Sequence, residues 1–424
     1  MAYRFVHAAD IHLDSPLRSL ALRSSELAEL IGNATRQAFV RIIDLCLREQ
    51  VDALLLAGDL YDGEQTSMKT ARFLAEQVRR LHEAGIRVFI IRGNHDAVSQ
   101  ITKELVFPET VKVFSGRAEA IVIDQDRGDF PVVVHGLSFA EPHAPESLLG
   151  KYKSVVDGAF NIGILHTSLS GSSGHNPYAP CSLADLNATG FHYWALGHIH
   201  KRSVFEGKCT VVMPGMPQGR DINESGVKSV SLVTVADDMS VRIEERFTSV
   251  AQFERVNVDT SQTEDWAGLA REIGKALERT RKDSASDHLV ARVRLTGISP
   301  LAWRMRRDVD LLKAEADDRA SMVGRCWVEK LEVQCQPPSA AQVDSRDPLT
   351  ELRRLMADEV ACSDAFKAAA FEVAEELRGQ LPPECRHILG EDETAFDLVV
   401  VDLLDEGAND IVARLHADSE VEAA

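Results

Sequence analysis

The sequence lacks the features that define several classes of protein. Its seven cysteines include no C-x-x-C pair and are odd in number, which argues against a disulfide framework and against a zinc ribbon. It has no apolar run long enough for a membrane anchor, and the opening "MAYRFVHAAD" reaches Asp10 too early for a signal peptide. We therefore expect a cytoplasmic protein with reduced thiols and no membrane contact.

Positive charge is also scarce, since 47 Lys and Arg face 66 Asp and Glu, which gives a formal net charge of -19. Most of the deficit lies in residues 341–424, which hold 21 Asp and Glu against 7 Lys and Arg. The rest of the chain is close to balance. The acidity therefore belongs to the C-terminal segment and does not exclude a polyanionic ligand elsewhere.

Short runs of Val, Ile and Leu alternate with helical patterns early in the chain, as in "VDALLLAGD", "TARFLAEQVRRLHEAG" and "RVFIIRGNHD". This alternation predicts βαβ units with buried strands. Further strand-like runs, from "EAIVID" to "VKSVSLVTV", follow with few helices between them. The sequence therefore predicts an α/β fold, a sandwich of sheets packed face to face and flanked by helices.

Three domains are expected along the chain. Residues 1–248 form the sandwich, and residues 249–338 form a small α+β capping unit of strand, helix, strand, helix and strand. The segment "PPSAAQVDSRDP" is typical of a linker. Residues 339–424 are acidic and mostly helical, with one strand-like run, "AFDLVVVDLL". This last region either docks a partner or is a solvated helical bundle.

Short motifs rich in Asp, Asn and His stand at the ends of five predicted strands. They are Asp10-x-His12, Gly58-Asp59-x-x-Asp62, Gly93-Asn94-His95-Asp96, His166 in "GILHTS", and Gly197-His198-x-His200. One such strand end is usually a solvated turn, and a lone histidine after an apolar strand is more often a core residue. Five together indicate a ligand site, because the loops at the carboxyl ends of strands converge.

The motifs supply seven candidate metal ligands. These are Asp10, His12, Asp59, Asn94, His166, His198 and His200. Imidazole, carboxylate and amide oxygen donors without thiolates suit Mn, Fe or Zn in a working site. Seven donors are too many for one four-coordinate ion but enough for two ions that share a carboxylate, for which Asp59 is the candidate. Two such ions activate water and stabilise an in-line phosphoryl displacement.

In this order, the motifs resemble the signature set of the calcineurin-like metallophosphoesterases. The segments "FVHAADIHLDSPL", "GDLYD", "YWALGHIH" and "PGMPQGRDINESG" resemble more specifically the SbcD-type DNA repair exonucleases of the YhaO-like branch. The motif resemblance covers about residues 1–235. The later segments resemble that family only in order and size.

The resemblance implies a role for each motif residue. It assigns one metal to Asp10, His12, Asp59 and His200, and the other to Asp59, Asn94, His166 and His198. It makes His95 a catalytic residue that assists the leaving oxygen, and Asp96 the carboxylate that orients His95. Some relatives have His in place of Asp62, so a supporting role is expected for that residue.

The resemblance also implies two divalent ions, Mn²⁺ by preference with Fe or Zn as alternatives. DNA is the implied substrate and an SMC-like ATPase of the SbcC or YhaN type the implied partner. A homodimer fits the family, although no apolar stripe supports one.

Two groups of weaker signals have equally good structural explanations. The loop "SGSSGHNPYAP", with His175, either borders the substrate groove or is a mobile surface loop. Arg220 and Asn223 either face the site or hold their own loop by hydrogen bonds.

Several arginines make the capping unit locally basic, which favours contact with DNA phosphates. They are Arg292, Arg294, Arg304, Arg306 and Arg307. Alternatively, they form a solvated face whose charges pair with carboxylates such as Asp308 and Asp310.

The leading hypothesis is a metal-dependent DNA exonuclease that hydrolyses phosphodiester bonds in DNA repair. A phosphatase or cyclic-nucleotide phosphodiesterase would use the same ligands, but it has less use for a capping unit and a tail. A non-catalytic scaffold is the third hypothesis. Such scaffolds usually lose ligands, whereas all seven are present here.

Overall fold

The computed structural model describes residues 2–15, 25–61, 67–97, 106–123, 130–169, 178–338, 348–381, 386, 389–390 and 392–422. It divides into two compact units. The first comprises Met1–Glu254 with Arg281–Val290, and the second comprises Arg255–Thr280 with Ala291–Ala424. The domain boundaries that the sequence suggests near residues 248 and 338 stay predictions.

The first unit is built on two mixed six-stranded sheets. Its strands are β1 (Tyr3–Ala8), β2 (Ala53–Ala57), β3 (Arg87–Ile91), β4 (Val111–Val113), β5 (Glu119–Ile123), β6 (Val132–Gly136), β7 (Phe160–His166), β8 (Tyr193–Gly197), β9 (Ser203–Phe205), β10 (Thr210–Met213), β11 (Ser229–Val235) and β12 (Val241–Phe247). One sheet has the order β12-β11-β1-β2-β3-β4 and the other β5-β6-β7-β8-β10-β9. β1, β2 and β3 are parallel neighbours, as are β6, β7 and β8.

The central strands are apolar on both faces because both faces are covered. In β2, Leu55 lies in the core between the two sheets, whereas Leu54 and Leu56 lie in a second core under the helices. Trp194 of β8 lies in a third core on the outer face of the other sheet. Alternate residues of an extended strand point to opposite faces, so a continuous apolar run fills two cores. The predicted sandwich flanked by helices is confirmed.

Helices of the first unit cover the sheets, and two of them begin at side chains that cap them. They are α1 (Ser25–Glu49), α2 (Met68–Glu83) and α3 (Leu183–Ala188). The Ser67 hydroxyl accepts a hydrogen bond from the N–H of Thr70 at the start of α2. Ser182 and Asp185 form a reciprocal capping box at the start of α3. Leu74 and Val78 of α2 pack into the core beneath the first sheet.

The chain from residue 251 onward contains a three-stranded sheet and six α-helices among its described residues. Its elements are β13 (Ala251–Asp259), α4 (Trp266–Asp283), β14 (His288–Thr296), α5 (Ala302–Arg307), α6 (Val309–Val323), β15 (Cys326–Val333), α7 (Pro348–Leu355), α8 (Asp364–Gln380) and α9 (Glu393–Glu422). The sheet has the order β13-β14-β15. The strand, helix, strand, helix, strand pattern expected after residue 248 is present, with two consecutive helices, α5 and α6, where one was expected.

The strand expected at "AFDLVVVDLL" is wrong, since this run lies within helix α9. Its apolar residues do not alternate with polar ones as a half-buried strand requires. Phe396 and Val400, one helical turn apart, are buried, while Val401 and Leu403 are exposed. A helical face therefore accounts for the pattern.

The six described cysteines are free thiols, and Cys385 lies outside the described residues. In the described part of the chain, none of the helices combines the length and apolar character needed to cross a membrane.

A buried histidine connects the two sheets of the sandwich. His7 of β1 is fully buried, with Nδ1 3.0 Å from the Tyr193 hydroxyl and Nε2 3.1 Å from the Leu196 carbonyl oxygen, both in β8. Burial lowers the pKa of His7 to about 3 from an ordinary value of 6.5. The ring is therefore neutral in the folded protein near neutral pH.

We expect His7 to make the first unit sensitive to acid. Below pH 6.5 the unfolded chain binds a proton at this residue, whereas the folded chain does not until about pH 3. Stability present above pH 6.5 is thus lost as pH falls, by about 1.4 kcal/mol per pH unit. Urea unfolding of EDTA-treated protein between about pH 6 and 5 should show a loss about 1 kcal/mol smaller in His7→Gln. Equal losses in the two proteins would contradict the assignment.

Candidate metal centre

The strand topology brings the predicted motifs to one edge of the sandwich. Because β1, β2 and β3 are parallel neighbours, the residues that follow Ala8, Ala57 and Ile91 leave the first sheet on the same side. In the second sheet, His166 at the end of β7 lies opposite Gly197 at the end of β8. Local sequence thus supplies each donor, and the parallel register places the donors together.

Two clusters of potential ligand atoms form at this edge. One, the outer cluster, consists of Asp10, His12 and His200, of which His200 is partly exposed. In the other, the inner cluster, Asp59, His166 and His198 are all buried. Within each cluster, one ligand atom from each residue lies within 4.8 Å of the others. Each cluster is therefore compact enough to hold one metal ion.

The amide oxygen of Asn94 belongs with the inner cluster. It lies 3.0 Å from His166 Nε2 and 3.2 Å from His198 Nδ1. The structure thus brings together all seven predicted donors, although whether each of them binds metal stays a prediction.

Backbone geometry at the donors is constrained. The φ angles of Asp10, His12, Asp59 and His198 are 53°, 46°, 52° and 101°, in the left-handed region that residues other than glycine rarely adopt. Such conformations persist where surrounding contacts impose them. Here, Asp10 N–H donates to the Gly58 carbonyl at 3.1 Å and His12 N–H donates to the Asp59 carbonyl at 3.0 Å. Cross-strand hydrogen bonds therefore hold the donors in place.

The inner cluster has the electronic character of a cation site. His166 Nδ1 lies 2.9 Å from the Ala57 carbonyl oxygen, which can only accept, so this nitrogen carries a proton. In the neutral ring, Nε2 then presents a lone pair to Asp59 Oδ2 at 3.2 Å and to Asn94 Oδ1 at 3.0 Å. Such a group of acceptors, two of them on the buried residues His166 and Asp59, is unfavourable unless a cation or a proton joins them.

The ionisation of the inner cluster agrees with this need. Burial opposes a charge on His166, but the adjacent Asp59 carboxylate outweighs it and raises the pKa of His166 to about 9. Burial likewise opposes the charge on Asp59, and the nearby histidines nevertheless hold its pKa below the ordinary range. The pair thus favours one positive charge at this position. A divalent ion satisfies the same acceptors, so these residues fit a metal.

His95 and Asp96 lie beside the clusters. The His95 ring contacts His12 edge to face, with centroids 5.2 Å apart, and the backbone N–H of His95 donates to Asp59 Oδ1 at 3.0 Å. The buried Asp96 carboxylate accepts from the N–H of Leu60 at 3.0 Å and of Gly93 at 2.6 Å. Asp96 therefore braces the two loops that carry Asp59 and Asn94. Its predicted role in orienting His95 stays a prediction.

Some predicted residues lie outside the described residues, namely Asp62 and His175. Of the loop that contains His175, the described end reaches the centre, because the Tyr178 ring contacts His198 edge to face at 5.1 Å between centroids.

Arg220 binds Glu224 of the same loop, with Nη2 2.6 Å from Oε1. The backbone N–H of Asn223 donates to Asp221 Oδ1 at 2.7 Å within the same loop.

Ion pairs occupy most of the arginines that favoured DNA contact. Arg292 pairs with Glu329 at 2.7 Å and Arg294 with Glu332 at 2.8 Å. Arg304 and Arg307 both lie near the Asp308 carboxylate, at 3.7 and 2.8 Å. These ion pairs agree with the alternative interpretation of the arginines, a salt-bridged surface. Asp308 was expected to take part in such pairs, and it does. A role of this segment in DNA binding stays a prediction.

Sequence reasoning missed one residue at the centre, Glu224. Its Oε1 lies 2.9 Å from Nδ1 of the predicted ligand His200, and its side chain is 12% exposed. Residue 224 lies in a loop between β10 and β11, so no strand-end pattern marks it. Only its place in "PQGRDINESG", a segment already compared with relatives, could have drawn attention to it.

Comparison with known protein families gives one match in the N-terminal part of the chain and another in the middle part. The family model described as a calcineurin-like phosphoesterase matches residues 3–202. A second model, described as the middle domain of the metallophosphoesterase YhaO, matches residues 253–336.

Two curated relatives illustrate the similarity. The chain is 35% identical over 298 residues to the uncharacterized metallophosphoesterase YhaO of Bacillus subtilis, covering 70% of this chain and 72% of the relative. It is 28% identical over 207 residues to the DNA double-strand break repair protein Mre11 of Methanocaldococcus jannaschii. That match covers 47% of this chain and 51% of the relative, or about half of each.

We expect Gly93→Ala to disable the centre without unfolding the protein. A Cβ at this position would lie 2.7 Å from His166 Nε2 and even closer to Asp59 Oδ1, so both donors must move. A displacement of about 1 Å at a catalytic group can cost about 100-fold in rate. Retained Mn²⁺ after dialysis and hydrolysis of bis-p-nitrophenyl phosphate should both fall. Gly150→Ala is the control, because a Cβ there meets nothing within 4 Å. Wild-type metal content in Gly93→Ala would contradict the expectation.

Proposed function

Since the chain belongs to the YhaO-like branch of the calcineurin-like metallophosphoesterases, we propose that it is a metal-dependent DNA exonuclease that acts in DNA repair. Membership of this family identifies the chain as a hydrolase of phosphoric esters. The observation that carries the proposal is the pair of adjacent ligand clusters at one edge of the sandwich. The cytoplasm is the proposed location.

The proposed cofactor is a pair of divalent ions, Mn²⁺ by preference with Fe or Zn as alternatives. Such ions would supply an activated water and would neutralise charge on the phosphoryl oxygens. The outer cluster would hold one ion and the inner cluster with Asn94 the other, with the Asp59 carboxylate shared between them. Asp59 suits this role because it lies between the two clusters electrostatically. His166 of the inner cluster and His12 of the outer cluster both lower the pKa of its carboxyl group.

The proposed catalytic residue outside the ligand set is His95. It follows Asn94 directly, and its ring lies against that of His12. A protonated imidazole there can stabilise or protonate the 3′ oxygen as it leaves phosphorus. Asp96 would support this step from the loops that it braces.

A groove beside the centre supports a polyanionic substrate. It has a volume of about 780 Å³ and includes His200 in its wall. Three cationic residues also line it, namely Lys201, Arg202 and Lys228. Cationic side chains next to a phosphoesterase site attract nucleic acid through its phosphates. The similarity to a protein named for DNA double-strand break repair points to the same substrate class.

The acidic C-terminal helices are the proposed docking region for an SMC-like ATPase of the SbcC or YhaN type. Exposed apolar side chains there include Phe366, Val373 and Leu377 of α8 and Leu398 and Val401 of α9. Such residues on acidic helices fit a partner helix with an apolar face and basic flanks. A homodimer and contact of residues 249–338 with DNA are further parts of the proposal.

The nuclease proposal predicts Mn²⁺-dependent cleavage of DNA from ends. End-labelled linear duplex, closed circular DNA and single-stranded DNA are incubated with the protein beside p-nitrophenyl phosphate and bis-p-nitrophenyl phosphate. We expect linear duplex to be degraded and closed circular duplex to survive, with EDTA abolishing cleavage. If the small esters are hydrolysed while every DNA stays intact, the protein is a phosphatase or small-molecule diesterase instead.

His95→Ala should separate metal binding from turnover. Because His95 is proposed to act on the leaving oxygen, the variant should keep its bound Mn²⁺ and lose about 100-fold or more in DNA cleavage rate. His82→Ala, a substitution on helix α2, is the matched control and should keep the wild-type rate. A wild-type rate in His95→Ala would remove that residue from the mechanism.

A further inference from the structure

The loop that carries Glu224 is built to hold this side chain in one position. Asp221 accepts from the N–H of Asn223 and so starts a single turn, Ile222–Glu224. Ile222 is buried and anchors that turn in the protein. Glu224 therefore projects from a fixed backbone.

Both carboxylate oxygens of Glu224 are engaged. Oε1 accepts from Arg220 Nη2 at 2.6 Å and lies 2.9 Å from His200 Nδ1. Oε2 accepts from the Arg220 backbone N–H at 2.7 Å. Arg220 Nη1 in turn lies 3.3 Å from the Ser15 hydroxyl, in the loop that follows His12. The carboxylate is thus restrained by both the side chain and the backbone N–H of Arg220, in addition to its contact with His200.

This contact decides which nitrogen of His200 carries the proton. An ionised carboxylate can only accept, so Nδ1 of His200 must donate. In the neutral ring, Nε2 then has the free lone pair. That atom faces His12 Nε2 at 3.2 Å, inside the outer cluster. We propose that Glu224 is a positioning residue that holds His200 in its metal-binding tautomer and so strengthens the outer metal site selectively.

The selectivity follows from the different partner of the inner cluster. There, the ring of His166 is oriented by the neutral Ala57 carbonyl at 2.9 Å. The Glu224 carboxylate instead hydrogen-bonds to His200, a ligand residue of the outer cluster. Removing the carboxylate should therefore affect one ion and not both. Groups that orient a ligand in this way typically change metal affinity by about 10- to 100-fold.

Titration of metal-free protein with MnCl₂, followed by the EPR signal of free Mn²⁺, tests the proposal. The wild type should bind two ions. Glu224→Ala should bind one of them about 10- to 100-fold more weakly and the other as before. Glu224→Gln keeps an acceptor for Nδ1–H but loses the charge, so its loss should be smaller. Glu206→Gln, in the exposed turn after β9, is the matched control.

A spectroscopic measurement distinguishes positioning from a general effect on the loop. In zinc-loaded protein with ¹⁵N-labelled histidine, the Nδ1–H signal of His200, identified by its loss in His200→Gln, should persist in Glu224→Gln and shift or vanish in Glu224→Ala. Two undisturbed ions in both variants, or equal weakening of both ions, would overturn the proposal. If Glu224→Ala does not fold, the nearly isosteric Glu224→Gln decides through its titration.

The inference rests on the metal centre of the proposed function, but it does not require DNA. If the wild type binds two Mn²⁺ and leaves DNA intact, the nuclease proposal fails while the comparison of Glu224 variants stands. A wild type that binds fewer than two ions contradicts the two-metal centre before any variant is compared.

Discussion

The structure depends on the crowding of hydrogen-bond acceptors at one edge of the sandwich. His166 Nε2 lies 3.2 Å from the Asp59 carboxylate and 3.0 Å from the Asn94 amide oxygen, and the side chains of His166 and Asp59 are buried. Burying such groups without a cation costs several kcal/mol, which the rest of the fold must offset. The two apolar cores beside the parallel strands supply that stability and keep the donors from moving apart.

The pairing register of the strands places these donors in a defined geometry. Parallel pairing of β1, β2 and β3 fixes where each strand ends, and cross-strand hydrogen bonds hold Asp10 and His12 at positive φ. Glycine is required where the backbone approaches the donors. A Cβ on Gly58 would meet the His166 ring, and one on Gly197 would meet the Ala57 carbonyl. The positions of the polar donors therefore depend directly on the pairing and packing of the apolar strands before them.

These relationships explain which features were predictable. The sandwich and the seven donors could be inferred because a buried strand and the polar residue at its end are neighbours in sequence. Glu224 could not, since it reaches His200 across 24 residues from an irregular loop. The run "AFDLVVVDLL" was misread because a short apolar segment has no decisive period. Arginines such as Arg292 looked available for DNA because their partners, here Glu329, lie on another strand.

In each cluster, Nδ1 of one histidine faces a fixed oxygen acceptor, but the two acceptors differ in charge and the two histidines differ in burial. The His166 side chain has no exposed surface, so the weak dipole of the Ala57 carbonyl acts at low dielectric and is enough to fix its tautomer. The His200 side chain is 28% exposed, so a hydrogen bond to it forms at a higher dielectric. A full negative charge, itself held by Arg220, can keep Nδ1 protonated in that setting where a neutral carbonyl would compete poorly. The cluster that contains the more exposed histidine, and whose His200 lines the groove, is therefore the one with the ionic contact.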